Sequence, residues 1–304
     1  MKLKSSMANP LVSVIVLTYN HAAFIEQCLS SILDQESDFD FEIIVSDDSS
    51  TDSTSAKINK ISQIVSLLHS HETEKNLGAA RNFESAFAKC RGEYIAFCEG
   101  DDYWCDPKKL AKQIEILKND SSATLVYANY GKVEESGKLI EASVLNPLKN
   151  SFGLHDFIDG HGPTIHSMVV RREIFPAKFP SAFFQVENPD VFIIGWALTK
   201  GRGAYIPETL SMYRIHESGI YASKTRTEKN LLRYATRMEF FGTMPLSYRS
   251  FYQTAITKFE ESLARTNRNG DKRLFAKYVK LLPLGRRVIF GLRRNYYRAR
   301  TRGK

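Results

Sequence analysis

The sequence predicts an α/β protein: a mostly parallel central sheet flanked by helices, followed by a helical C-terminal extension. Three observations lead there. Short apolar runs alternate with amphipathic stretches up to about residue 128, and strands that alternate with helices of ten or more residues form βαβ units. The runs are continuous and rich in Val and Ile, as in strands covered on both faces. Several of them end in a polar cluster, at the position where open α/β sheets bind ligands.

The elements follow in order. Val12–Tyr19 reads as the first strand and Ala22–Leu33 as an amphipathic helix. Phe41–Val45 is a strand, Ser53–Ile61 a helix and Val65–His69 a weak strand. Gly78–Cys90 is a helix and Glu93–Cys98 a strand. Pro107–Lys118 is a helix, with Asp106 as its N-cap and Pro107 in its first turn. Thr124–Ala128 is a strand, and Val133–Ile140 a hairpin turning at Ser136-Gly137. Ile165–Arg171 is a strand, Val191–Lys200 a helix, and Thr209–His216 a strand or loop. From Thr225 onward the pattern is helical, which puts a domain boundary near 222.

The 304 residues are 43% hydrophobic and 12% aromatic, enough for a sizeable core. None of the four cysteines, Cys28, Cys90, Cys98 and Cys105, forms a CxxC pair; buried reduced thiols in a reducing compartment are expected. The N-terminal run LVSVIVL is short and β-branched, with no small-residue cleavage site after it, so it reads as a strand and not as a signal peptide. No run reaches the roughly 20 apolar residues of a membrane span, and a cytoplasmic protein, peripheral on the inner membrane face, is expected. The net charge of +8 is uneven. Twelve basic residues and no acid lie from Lys272 onward, leaving 30 basic against 34 acidic elsewhere, or about −4.

Two acidic clusters carry the chemistry. In EGDDYW (99–104), adjacent carboxylates after a buried strand raise each other's pKa. A divalent cation relieves that repulsion, and Mg2+ or Mn2+ commonly takes one or two carboxylates plus phosphate oxygens. The alternative is a solvated turn with helix-capping acids. In EIIVSDDSSTDST (42–54), Asp47 and Asp48 either accept hydrogen bonds from a base or ribose, or cap the helix near Ser53. No GxGxxG follows the first strand, which excludes a dinucleotide-dependent dehydrogenase.

The ordered set PLVSVIVLTYN, EIIVSDDSSTDST and NLGAARNFESAFAKCRGEYIAFCEGDDYW resembles the inverting, nucleotide-sugar-dependent glycosyltransferases of family 2, which have a Rossmann-like GT-A fold. A second block, ENPDVFIIGWALTKGRGAYIPETLSMYRIHESG (187–219), resembles the acceptor-side segment of one branch. The resemblance implies a glycosyltransferase domain over 1–222, with a nucleotide half near 10–118 and an acceptor half near 119–222, and a basic helical extension over 223–304. It implies that Thr18, Tyr19 and Asn20 form the first nucleotide-contacting loop and that Asp48 reads the base. Asn76, Gly78 and Arg81 match a segment near nucleotide and sugar. Asp101 and Asp102 match the DXD-type metal site for Mn2+ or Mg2+, although Glu99 stands where aspartate is usual. Asp190 matches the catalytic base; by itself, after Pro189, it reads as the opening residue of a helix at the positive end of its dipole. Arg214 and His216, from Tyr213-Arg214-Ile215-His216, match groups at the diphosphate and metal. His161 and His166 either line the acceptor cleft or pack in a loop, and Trp104 either shapes the sugar pocket or is buried.

The implied partners are a nucleotide-sugar donor, with UDP as the default and GDP or dTDP open, and a glycan or lipid-linked acceptor in surface polysaccharide or lipopolysaccharide synthesis. The basic segment 272–304 suits an anionic membrane surface; a helical oligomer contact is the second reading. Nucleic acid is the least favoured, because the body is acidic and lacks a nucleic-acid-binding motif. A non-catalytic nucleotide-sugar-binding protein of the same fold is the alternative function, against which the joint presence of Asp48, Asp101, Asp102 and Asp190 counts.

Overall fold

The computed structural model describes residues 9–145, 151–219, 222 and 224–283. The chain divides into two compact units, Met1–Phe157 with His161–Ala222, and Ile158–Gly160 with Ser223–Lys304.

The first unit is a mixed α/β structure. Its strands are β1 (Val12–Thr18), β2 (Phe41–Asp47), β3 (Leu68–Glu72), β4 (Tyr94–Glu99), β5 (Tyr103–Trp104), β6 (Ala123–Glu134), β7 (Leu139–Glu141), β8 (Ser151–Phe152), β9 (Met168–Arg171) and β10 (Arg202–Ile215). Its helices are α1 (Ile25–Leu33), α2 (Thr54–Ser62), α3 (Ala79–Phe87), α4 (Lys109–Asn119), the short α5 (Leu154–Ile158) and α6 (Asp190–Lys200). The sheet order is β3-β2-β1-β4-β9-β6-β10-β5, with β7 on β6 and β8 on β10.

The four strands β3, β2, β1 and β4 run parallel, as the alternating pattern predicts. Their apolar runs are buried because helices cover the sheet: Val12, Val14 and Val16 of β1 join one cluster with Ile25, Cys28, Leu29 and Ile32 of α1. That helix face repeats every three or four residues, the period of an amphipathic helix. Beyond β4 the sheet becomes mixed. β9 enters antiparallel to both β4 and β6, while β6 and β10 pair in parallel.

Two elements are longer than the sequence pattern suggests. β6 extends the expected five-residue strand to Glu134, and β10 fills what read as a strand or loop. Gly201, Gly203 and Pro207 interrupt the β10 signal. The strand accommodates the proline through a register shift between Ile206 and Thr209, since proline cannot donate to a ladder. Cys28, Cys90 and Cys98 are buried free thiols, whereas Cys105 is exposed.

One buried charge fastens the start of the sheet. The Glu42 carboxylate accepts from Ser13 Oγ (2.6 Å), Arg91 N–H (2.7 Å) and the Arg91 guanidinium (2.6 and 2.8 Å). Gly92 permits this approach, because a Cβ there would lie 2.4 Å from Ser13 N.

The second unit contains α7 (Arg226–Gly242), α8 (Arg249–Arg268) and α9 (Lys272–Tyr278). Thr225 and Asp271 cap α7 and α9 by accepting the N–H of Glu228 and Leu274. Leu231, Ala235, Met238, Ile256, Phe259 and Leu263 are among its buried apolar residues on α7 and α8, at helical spacing. Most of the expected basic segment 272–304 lies outside the described residues. No helix among the described residues is long and apolar enough to cross a membrane.

Burial alone would raise the Glu42 pKa, but the bonds from Ser13 and Arg91 outweigh it and hold the carboxyl below its ordinary value. Its stabilisation is therefore present above the ordinary carboxyl range and is lost as pH falls through the depressed pKa. Glu42→Ala should cost about 2–4 kcal/mol, mainly through the stranded Ser13 hydroxyl and Arg91 main-chain N–H, while the half-exposed Arg91 guanidinium rehydrates. Thermal melting between pH 7 and pH 3 checks this: the variant should melt lower at neutral pH and show a shallower acid limb.

Candidate active site

Parallel register sets the site. Thr18 pairs with Asp47, and Leu17 with Glu99, so β1, β2 and β4 end level with one another. The polar residues that follow them therefore share one rim of the sheet. The first two loops are stitched together. Asn20 N–H donates to Ser50 Oγ (2.8 Å), Asn20 Oδ1 accepts from Thr51 N–H (2.8 Å), and Ala22 N–H donates to Asp52 Oδ2 (3.1 Å). Asn20 and Ser49 sit in the left-handed region at φ 56° and 62°, where Asn is tolerated and most residues are not. Asn20 is thereby committed to the loop, and Tyr19 beside it stays 41% exposed.

The adjacent carboxylates Asp47 and Asp48 have different surroundings. Asp48 accepts from Leu77 N–H (2.7 Å) and Thr73 Oγ (3.2 Å) through Oδ1, and from Gly78 N–H (2.9 Å) through Oδ2. Both of its oxygens thus organise the 73–78 loop before α3, where Gly78 stands at φ 80°. Asp47 accepts from Ser50 through Oδ1, while its buried Oδ2 has no hydrogen-bond partner. Burial, countered by the Ser50 bonds, raises its pKa. The acceptor left open here is on Asp47, not on Asp48 as the sequence implied. Asn76 and Arg81 are exposed nearby in sequence, and the Arg81 guanidinium lies 4.7 Å from the Phe184 ring centre.

Asp101 and Asp102 also separate. Asp102, 1% exposed, accepts the Arg214 N–H through Oδ1 (2.8 Å), and its Oδ2 has no hydrogen-bond partner. Asp101 faces His216, whose Nε2 lies 3.0 Å from Oδ2, and His21, whose Nε2 lies 3.7 Å from the same oxygen. His21 was not legible as a site residue in the sequence; the signal was its place directly after Thr18-Tyr19-Asn20, on the loop level with EGDD. Gly100 leaves room for it, since a Cβ there would lie 2.6 Å from Thr18 Oγ and 2.8 Å from His21 Nδ1. β5 pairs with β10 at Ser211 and Met212, which carries Arg214 and His216 to this loop.

Arg214 is nearly spent on the protein. Its Nε donates to Asp101 O (2.9 Å), Nη1 to Glu134 O and Glu135 O (3.4 and 3.0 Å), and Nη2 to Gln27 Oε1 (2.6 Å). It is a buried brace for the metal-type loop, not an open diphosphate ligand. His166 is likewise buried against Ser211 Oγ (2.9 Å), with Nε2 3.8 Å from Asp102 Oδ2, so it does not line an open cleft. Trp104 is core, with Lys109 Nζ 4.2 Å from its ring centre.

Electrostatics tie Asp190 to this cluster. Burial, then Asp101, then Asp190 push the Glu99 carboxyl up to about 8. Burial, Asp101 and Glu99 push Asp102 up as well. Asp190 opens α6, whose Trp196 packs on Phe175, Phe179 and Phe183, an aromatic cluster that continues into Phe83 of α3. That cluster sets where the helix begins. Among the described residues, no group of three or more His, Cys, Asp or Glu side chains is placed to hold a metal ion. Even so, the Asp101 carboxylate among its acidic neighbours and the His216 imidazole 3.0 Å from it are donor types that a divalent cation would use.

The sequence profile of Glycosyl transferase family 2 matches residues 13–177. The chain belongs to this family. The chain is 30% identical to the uncharacterized protein Rv1520 of Mycobacterium tuberculosis over 220 residues, which is 70% of this chain and 61% of that one. It is 30% identical over 225 residues to a protein described as the putative teichuronic acid biosynthesis glycosyltransferase TuaG of Bacillus subtilis, covering 72% of this chain and 85% of TuaG. Among solved structures it is similar to residues 1–349 of Staphylococcus aureus TarS in complex with UDP-GlcNAc (TM-score 0.56, 17% identity, 87% and 89% coverage). It is also similar to the mannosyltransferase PcManGT of Pyrobaculum calidifontis in complex with GDP-Man and Mn2+ (TM-score 0.56, 19% identity, 89% and 79% coverage). These structural neighbours establish the GT-A fold.

Gly100→Ala tests the packing of the site. The added methyl should displace Thr18 and His21 and cost about 1–3 kcal/mol, seen as a lower denaturant midpoint with an unchanged m-value.

Proposed function

We propose that the enzyme is an inverting glycosyltransferase that moves a sugar from a nucleotide-diphosphate donor, UDP-linked by preference, to a hydroxyl of a glycan or lipid-linked acceptor in cell-surface polysaccharide synthesis. The supporting observation is the electrostatic reach of Asp190 to Glu99 within the same carboxylate cluster as Asp101. A base and a cation-binding group are needed at opposite ends of the bond exchanged, and here one rim holds both kinds of carboxylate.

The chemistry follows from that arrangement. Asp190 accepts the acceptor hydroxyl proton as the oxygen attacks the anomeric carbon. The new C–O bond forms as the bond to the diphosphate breaks, on the opposite face, and the nucleoside diphosphate leaves with the electron pair. A bound Mn2+ or Mg2+ would supply positive charge to the diphosphate; Asp101 and His216 would hold it, with Asp102 fixing the loop behind them through the Arg214 N–H. A single base suffices because the nucleoside diphosphate is a weak base that leaves without being protonated; a glycosidase, whose leaving oxygen must be protonated, requires two carboxylates across the bond.

On the donor side, Thr18 and Asn20 shape the first loop and Tyr19 offers its exposed ring. Asp48 orders the 73–78 segment that carries Asn76, Asp47 supplies the open acceptor, and Arg81 is the mobile-length cation available to the donor. We place the reaction at the cytoplasmic membrane face. The support is the basic composition of 272–304, which suits anionic lipid, together with the TuaG likeness.

Asp190→Asn tests the assignment. In a donor-hydrolysis or transfer assay kcat should fall by about 10²–10⁴, with donor Kd within about threefold of the unaltered enzyme. Unchanged turnover would remove Asp190 as the base. Donor binding without turnover in the unaltered enzyme, across acceptors, would instead favour a non-catalytic binding protein.

A further inference from the structure

Two histidines, not one, meet the Asp101 carboxylate. His216 Nε2 is 3.0 Å and His21 Nε2 is 3.7 Å from the same oxygen, Oδ2. The rings meet edge to face with centroids 6.1 Å apart. The far nitrogen of each is anchored by a hydroxyl: His21 Nδ1 lies 3.2 Å from Thr18 Oγ, and His216 Nδ1 lies 2.8 Å from Ser218 Oγ. Ligand histidines are held in this way: in the tautomer whose Nδ1–H donates to the hydroxyl, Nε2 is presented with its lone pair, and without a cation the other tautomer lets His216 Nε2–H donate to Asp101.

The spacing suits a cation. With bonds of about 2.1 Å, neighbouring ligand atoms lie about 3.0 Å apart in an octahedron and about 3.4 Å apart in a tetrahedron. The His216 separation already matches the first value, and His21 is a few tenths of an ångström beyond the second. As they stand the three groups are not placed to hold an ion, and closing the site requires His21 to move toward Asp101 Oδ2. Gly100 keeps the space for that movement: a side chain there would overlap Thr18 and His21. His21 and His216 arrive from different elements, one on the loop after β1 and the other just past β10, so the cation would tie the two halves of the rim together.

We propose that His21 is a further ligand of the divalent-cation site, so that Asp101 and two imidazoles hold the ion and the site prefers Mn2+, Co2+ or Zn2+ to Mg2+. Imidazole suits these metals, whereas Mg2+ keeps to oxygen and water. The proposal rests on the cation-assisted donor site proposed above.

The test uses the full chain with saturating UDP and measures Mn2+ and Mg2+ affinity by calorimetry for the unaltered protein, His21→Ala, His21→Asn and Asp101→Asn. His21→Ala should weaken Mn2+ by about 10–100-fold and leave Mg2+ within about threefold. Pulsed electron spin resonance of bound Mn2+ should count two imidazole nitrogens in the unaltered protein and one in either His21 variant. His21→Asn keeps a polar group at the loop, and melting curves confirm that each variant is folded. Unchanged Mn2+ affinity in His21→Ala, a single nitrogen in the unaltered protein, or equal losses for Mn2+ and Mg2+ would each overturn the His21 assignment. If Asp101→Asn abolishes Mn2+ binding while His21→Ala does not, only the His21 assignment fails. If the unaltered protein binds no Mn2+ with UDP, GDP, dTDP or CDP, the donor-site reading fails with it.

Discussion

Repulsion among carboxylates is the constraint on which the rest of the site depends. Glu99, Asp101 and Asp102 lie within four residues at the end of a buried strand, and Asp190 acts on Glu99 from the start of α6. Left to themselves, such groups protonate, as the upward shifts of Glu99 and Asp102 indicate. Asp101 is the exception: burial opposes its charge, but the His216 hydrogen bond and the His21 and His216 rings hold its carboxyl below the ordinary value. Arg214 is the nearest permanent cation to donate to this loop, and its guanidinium goes to main-chain carbonyls and Gln27. Only its backbone N–H meets Asp102. The fold thus holds Glu99 and Asp102 together without a permanent countercharge, and a bound cation would relieve their repulsion.

The sheet makes this possible. Continuous burial of β1, β2 and β4 fixes their parallel register, and that register brings Thr18, Asp47 and Glu99 to one edge. The long β10 serves the opposite side: its pairing with β5 carries Arg214 to the Glu99–Asp102 loop and leaves His216 just beyond the strand. The same strand buries Ser211, which holds His166 behind Asp102. Rigid strands, and not the loops alone, therefore set the distances at the site.

Much of this was legible in the sequence, for physical reasons. Parallel strands buried on both faces leave continuous Val and Ile runs, and their ends mark the rim, so Thr18–Asn20, Asp47–Asp48 and Glu99–Asp102 could be gathered before any coordinates. The split between neighbours was not legible. Asp47 and Asp48 differ by one position at a strand end, and only the path of the 73–78 loop decides which is consumed by main-chain N–H groups. Asp101 and Asp102 separate for a similar reason, set by β10, whose strand signal was masked by Gly201, Gly203 and Pro207. His166 read as cleft or, with more weight, as packing, and its burial against Ser211 agrees with packing. His21 went unnoticed because a single histidine in a loop has no periodicity; its meaning comes from the level ends of β1 and β4.

The most direct test of the account is the melting temperature of the purified protein with UDP, GDP, dTDP and CDP, each with and without Mn2+, beside Asp101→Asn. A ligand that binds only the folded state raises the melting temperature by mass action. The account predicts a rise for one nucleotide that requires Mn2+ and disappears in Asp101→Asn. A rise that is equal without the metal and in the variant, or no rise for any nucleotide, would contradict it.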